Sequence, residues 1–146
     1  MSNAEIQMNR FLVDVFNDVL HLEEMSLSQG PCKDLSVSEM HVLEAVANGG
    51  ESPSMSSLAA RLRVTASTLT IAVKTLEQKG YLERRRCEED KRRVSVYLTN
   101  RAAPALAHHA GFHQKLIEGV SSQLNEAQLE NLSAALACLH AFFSSL

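Results

Sequence analysis

Apolar residues recur at every third or fourth position along most of this chain, and at every second position in only one stretch. Met8, Leu12, Val15, Phe16, Val19, Leu20 and Leu27 form the first run and predict one helix over residues 4–28. Gly30-Pro31 stops it. Ser36 opens a second helix with a capping box: its hydroxyl is placed to accept the Glu39 amide, and the Glu39 carboxylate to reach back. Leu35 and Met40 sit where a hydrophobic staple would. His41, Val42, Leu43, Val46 and Ala47 continue the pattern until Asn48-Gly49-Gly50 closes it.

Two short helices follow. Ser54 can cap "MSSLAARL", and Thr65 can cap "ASTLTIAVKTLEQK", which Gly80 closes. Joined by so tight a turn, they form a helix-turn-helix. Leu69, Val73 and Leu76 mark the apolar stripe of the second. Ser67, Thr68, Thr70, Ile71 and Lys74 mark the opposite face, with the small polar groups and the cation needed to touch base edges in a major groove.

The period then changes to two. "YLERR" and "VSVYLT" are strand-forming runs, with Val94, Val96 and Leu98 alternating against Ser95, Tyr97 and Thr99. A hairpin after a helix-turn-helix is a wing. Its tip carries "RRRCEEDKRR", in which Arg84, Arg86, Lys91, Arg92 and Arg93 are suited to the negative potential of a minor groove. Asp90 is expected to pair with a neighbouring guanidinium and fix its direction. Two more helices follow. The first holds Pro104 near its start and Leu106, Leu116, Ile117 and Val120. The second opens on an Asn125/Gln128 box with a Leu124/Leu129 staple and bears Leu129, Leu132, Leu136, Leu139, Phe142 and Phe143 on one stripe. The expected fold is mainly α with a small β-hairpin wing: one domain over 1–146, with a winged helix-turn-helix head at 36–100. Residues 4–28 and 101–146 are expected to dimerise.

Charge sharpens this picture. The 146 residues carry a formal net charge of −3. Residues 61–93 nevertheless hold ten basic and five acidic side chains, a net of +5, and the remainder is −8. A polyanion fits the middle of the chain. A winged-helix adaptor that binds protein is the alternative, but it has no reason to concentrate +5 on the reading segment. No run of 18 apolar residues exists and no secretory signal is visible, so the protein is expected to be cytoplasmic, with no membrane partner. Cys32, Cys87 and Cys138 are widely spaced without a C-x-x-C, which points to reduced thiols. Cys87 beside Arg86 is the one with some redox character. No Ser-His-Asp order, P-loop or G-x-G-x-x-G occurs, so no enzyme is expected and no catalytic residue is assigned.

The stretch "LEQKGYLERRRCEEDKRRVSVYLT" resembles the MarR family of bacterial transcription regulators, whose pattern runs L-E-x-x-G, an Arg, then D-x-R in the wing and a closing L-T. Leu76, Glu77, Gly80, Arg84, Asp90, Arg92, Leu98 and Thr99 occupy those places. The resemblance implies a homodimeric repressor on a pseudo-palindromic duplex operator, with Arg92 in the minor groove and Asp90 orienting it. Arg63 departs from the pattern, standing in the turn where such proteins often have Gly.

Within the family, "FNDVLHLEE", "KDLSVSEMHVLEAV", "LEQKGYLER" and Phe112-His113 resemble the FabT-type repressors of fatty-acid synthesis genes. That likeness implies acylated acyl carrier protein as effector. It also implies an apolar acyl pocket from Leu12, Val15, Phe16, Val19, Leu43, Val46, Leu106, Phe112 and Leu116. No cofactor is then required. A second likeness is to the zinc-responsive MarR repressors. His109 and His113 share a helix face at i, i+4, and Glu24 and His41 stand where those regulators have ligands. Met40 and His108 stand where that group's second site expects carboxylates. The alternative is a buried His–Glu network that fixes helices to one another.

Overall fold

The computed structural model describes residues 1–146, in the order α1 (Asn3–Gln29), α2 (Val37–Ala47), α3 (Met55–Leu62), α4 (Ala66–Gln78), β1 (Leu82–Arg86), β2 (Val94–Leu98), α5 (Ala102–Ser122) and α6 (Glu126–Ser144). The helix starts follow from the caps. Ser36 accepts the Glu39 amide at 3.2 Å and its own amide donates to the Glu39 carboxylate at 3.2 Å, closing the box. Asn125 and Gln128 do the same for α6. Ser54 and Thr65 cap α3 and α4 by accepting the amides of Ser57 and Thr68. Ser2 and Glu5 form a further box at the head of α1. Each cap satisfies helix amides that would otherwise lack a partner, at about 1 kcal/mol apiece.

The turn between α3 and α4 requires a left-handed residue, and the sequence puts Arg63 there, at φ 54° and ψ 43°. This is the place where the family resemblance expects Gly. Gly80 meets the corresponding need after α4, with φ +86°.

The chain divides into two compact units, Met1–Ala110 and Gly111–Leu146, and α5 begins in the first and ends in the second. The first unit holds the core. Met40 and Leu43 from α2, Leu58 from α3, and Leu69, Val73 and Leu76 from α4 close on Tyr81 and Val96, all fully buried. Truncating one of these leucines to Ala removes its burial and leaves a cavity, at a cost of roughly 2–5 kcal/mol. Of α1, only Glu23 and Leu27 are buried within this unit.

β1 and β2 pair antiparallel from Leu82↔Leu98 to Arg86↔Val94. The alternation along β2 departs from a simple in–out pattern, because Ser95 is buried. The segment before α3 lies against it: Ser54 bridges Ser95, and the Val96 amide donates to the Pro53 carbonyl at 2.9 Å. The hairpin is thereby stitched to the foot of α3.

In the second unit α6 buries no residue. Leu129, Leu132, Leu136, Phe142 and Phe143 are exposed, as are Phe11, Val13, Phe16 and Leu20 on α1. Apolar faces of this length are uncommon on a lone chain.

Candidate nucleic-acid interface

The buried stripe of α4 decides what the opposite face offers. With Leu69, Val73 and Leu76 locked into the core, Ser67, Thr68, Thr70, Ile71 and Lys74 are all exposed, and Ile71 is 69% exposed. An isoleucine so open on an otherwise polar face is suited to van der Waals contact with a thymine methyl. The two threonine hydroxyls are already engaged locally. Thr68 accepts from the Thr65 hydroxyl at 2.9 Å, and Thr70 donates to the Ala66 carbonyl at 2.8 Å. Their orientation is thus fixed before any partner arrives.

The wing carries its arginines in two groups. Arg84 and Arg85 are tied down. Arg84 Nε donates to Glu77 Oε1 at 2.5 Å, and its amide donates to Glu77 Oε2 at 3.3 Å. Arg85 pairs with Glu83 at 3.1 Å and lies over the Tyr97 ring, 4.4 Å from its centroid. That pairing holds the exposed Glu83 carboxyl below its usual range. Arg86, Lys91, Arg92 and Arg93 are exposed and form no ion pair within the chain. A shallow hollow between the two parts of the face is lined by Ser54, Thr70, Arg84, Asp90, Arg92 and Arg93, among others.

The role expected of Asp90 needs correction. Its carboxylate does not hold a guanidinium. Oδ1 accepts the Arg92 backbone amide at 3.0 Å, and the Asp90 carbonyl accepts the Arg93 amide at 3.0 Å. The Cys87 amide closes the loop onto the Arg93 carbonyl at 2.9 Å. Asp90 therefore shapes the turn that presents Arg92 and Arg93, and leaves their charge unpaired. An Asp side chain bonding an amide two residues on is a local turn device.

A second cluster is built by residues of α1, α2 and α5. His41 Nε2 stands 3.3 Å from Glu23 Oε2, and His109 Nε2 stands 2.7 Å from Glu44 Oε2. The two rings meet edge to face at 6.1 Å, and the Glu23 and His109 ligand atoms lie within 4.8 Å of each other. Glu23 and His109 are buried. Glu24, chosen from the sequence, is exposed and outside the cluster. One residue along a helix is a turn of about 100°, so only one of the adjacent pair Glu23-Glu24 can face inward. His113 follows His109 one turn along α5 and belongs to the second unit. His108 takes another direction, with Nε2 at 2.9 Å from the Ser26 carbonyl and 3.1 Å from its hydroxyl.

The expected acyl pocket also changes. Leu43 is 0% and Val46 3% exposed, both packed in the head core, so neither is available to a ligand. Leu12, Val15 and Val19 on α1 are half-buried and Phe16 is exposed, while Phe112 and Leu116 lie in the second unit.

One network escaped the sequence. The buried Tyr81 donates its hydroxyl to Asp34 Oδ1 at 2.5 Å. Arg101 pairs with Asp34 Oδ2 at 3.2 Å, covers the Tyr81 ring at 4.6 Å and donates to the Lys79 carbonyl. Lys79 in turn pairs with Glu39 at 2.8 Å and donates to the Asp34 carbonyl. These contacts tie the end of α4, the start of the hairpin and the start of α5 to the loop before α2. The Tyr81 hydrogen bond holds the Asp34 carboxyl below its usual range, and burial, followed by the Asp34 bond, pushes the Tyr81 phenol up.

A helix-turn-helix with an exposed polar reading face, followed by a hairpin whose tip holds unpaired arginines, defines a winged helix-turn-helix. A profile of the MarR family matches residues 33–93. The chain is similar over nearly its whole length to FabT of Streptococcus pneumoniae, solved in complex with DNA: 31% identity, 97% of this chain and 98% of that one, TM-score 0.90. It is similar to the regulator BldR of Sulfolobus solfataricus at 26% identity over all of both chains, TM-score 0.74. A 66-residue stretch is 38% identical to the HTH-type transcriptional regulator SarZ of Staphylococcus haemolyticus (strain JCSC1435), covering 45% of this chain and 44% of SarZ. The chain belongs to the MarR family. It is a DNA-binding transcriptional regulator and not an enzyme.

Proposed function

We propose that this protein is a cytoplasmic homodimeric repressor that reads a pseudo-palindromic operator, α4 entering the major groove and the wing the adjoining minor groove. The observation that carries this reading is the pairing of an exposed α4 face with a wing tip whose Arg86, Lys91, Arg92 and Arg93 lack internal partners. An unpaired cationic tip is what a phosphate-lined groove attracts. The bare apolar faces of α1 and α6 support dimerisation, since a second copy is the partner always present to cover them.

For the regulated genes and the effector, the whole-length similarity to FabT favours fatty-acid synthesis genes and an acylated acyl carrier protein. The acyl chain would lie against the α1 residues Leu12, Val15, Phe16 and Val19, each buried CH₂ contributing about 0.8 kcal/mol. Leu43 and Val46 take no part.

A second reading rests on the histidine cluster. Glu23 and His109 bring a carboxylate and an imidazole within 4.8 Å of each other, and His113, one turn further along α5, is a second imidazole; donors of these kinds suit Zn²⁺. An ion held there would join α1 to α5 through Glu23 and His109. Binding would need both imidazoles neutral. The experiment that separates the readings is a titration of a wild-type-selected duplex with purified protein, run with and without acylated acyl carrier protein and with and without a chelator. A change in affinity with the acylated carrier alone supports the acyl reading. Loss of a response on chelation, restored by zinc and abolished by His109→Gln, supports the second.

A further inference from the structure

Glu77 is out of place on a DNA-reading segment. It sits in the last turn of α4, half-buried, beside a surface whose task is to attract phosphates. Coulomb's law alone says that removing it should tighten binding. Its contacts say otherwise. One carboxylate takes both the side chain and the backbone of Arg84: Nε at 2.5 Å on Oε1, the amide at 3.3 Å on Oε2. This two-point grip spans seven residues and joins the end of the reading helix to the middle of β1. It occupies only the Nε edge of the guanidinium. The Nη edge is left for a second partner, and Arg84 lines the hollow with Ser54, Thr70, Asp90, Arg92 and Arg93, where the Asp90 carboxylate is engaged by the Arg92 amide. That hollow lies between the reading helix and the wing, where a duplex engaging both would pass a strand of its backbone.

We infer that Glu77 is a positioning residue for DNA binding: it holds Arg84 so that the free guanidinium edge meets a backbone phosphate between the reading helix and the wing. This rests on the DNA-binding reading above and adds a division of labour to it. Arg92 and Arg93 at the tip are loose cations, whereas Arg84 is pre-aimed, so its side chain loses less freedom on binding. A guanidinium held on one edge by a carboxylate and on the other by a phosphate uses its fork on two anions at once.

The test is a double-mutant cycle read by fluorescence anisotropy with the full-length protein. Two labelled duplexes serve as probes: one selected by the wild-type protein from a randomised pool, and a scrambled version of it. Glu77→Gln should weaken binding to the selected duplex about tenfold, although it removes a negative charge. In an Arg84→Ala background the same change should reverse sign and tighten binding about twofold, because only the charge effect remains. Arg84→Ala should also lower the salt slope by about one unit per chain, the mark of a lost phosphate contact. A clamp that merely stabilised the wing would leave that slope unchanged. Thermal melts of all four proteins confirm that each is folded. Tighter binding by Glu77→Gln in both backgrounds would overturn the inference, as would an unchanged slope for Arg84→Ala, while leaving the DNA-binding reading intact. Wild-type protein that selects no duplex would overturn both.

Discussion

Replacing Tyr81 with Phe removes one oxygen from the largest fully buried side chain of the head. The ring keeps its place in the core, since Phe has the same shape and Arg101 still covers its face. What disappears is the hydroxyl that donates to Asp34 at 2.5 Å. A hydrogen bond to a charged acceptor contributes roughly 1.5–3 kcal/mol, and the lower end applies here because Asp34 is itself exposed and water replaces the lost donor. We therefore expect a loss of about 1.5 kcal/mol, or a fall in Tm of roughly 5 °C for a chain of this size. Thermal unfolding by circular dichroism, wild type and variant at the same protein concentration, measures it. The pH dependence follows from Asp34. Its carboxyl is depressed in the folded protein, so its contribution is present above the ordinary Asp value of about 3.9 and is lost as pH falls through the lower folded value. The gap between wild type and Tyr81→Phe should narrow across that acid window. Tyr81 has the opposite sign: a phenol pushed up on folding stabilises fully below the unfolded value of about 10, and that contribution is lost as pH rises through the folded value. A Tm within 1 °C of wild type at neutral pH, or a gap that stays constant into acid, would refute this account of the network.

Arg92→Ala should weaken binding to selected and scrambled duplexes alike and reduce the salt slope by about one unit per chain, measured by anisotropy across a salt series. Lys74→Ala, on the α4 face, should cost about 1–3 kcal/mol on the selected duplex and relax preference at particular base pairs, as read by competition with single-substitution duplexes. Arg63→Gly should be neutral or stabilise the protein by up to about 1 kcal/mol in urea unfolding, because Gly relieves the left-handed strain at φ 54° but brings more backbone entropy to the unfolded chain. A destabilisation beyond that amount would mean that the Arg63 side chain makes a contribution its exposed position does not reveal.

Features carried by a few adjacent residues were legible in the sequence. The boxes at Ser36/Glu39 and Asn125/Gln128 need only an i, i+3 pair, and the structure forms both. The stripe of Leu69, Val73 and Leu76 fixed which side of α4 is exposed, because helical spacing leaves no choice once the apolar face is known. Features that depend on the rotation of one helix against another were not. Glu23 and Glu24 are adjacent acids, and only packing decides which turns inward. Leu43 and Val46 read equally well as core or as ligand lining, and the head needs them for its core. Contacts far apart in sequence left no local trace: Asp34 meets Tyr81 across 47 residues and Arg101 across 67. For Asp90, side-chain chemistry allowed an ion pair, whereas the tight turn at the wing tip brought the Arg92 amide closer.

The central claim is that a homodimer reads two half-sites through α4 and the wing. Sedimentation of the protein with a duplex selected from a randomised pool, at micromolar concentration, tests it most directly. The account predicts two chains per duplex and a selected sequence with two inverted half-sites about one helical turn, on the order of 10 bp, apart. A stable monomer bound to a single half-site would contradict it.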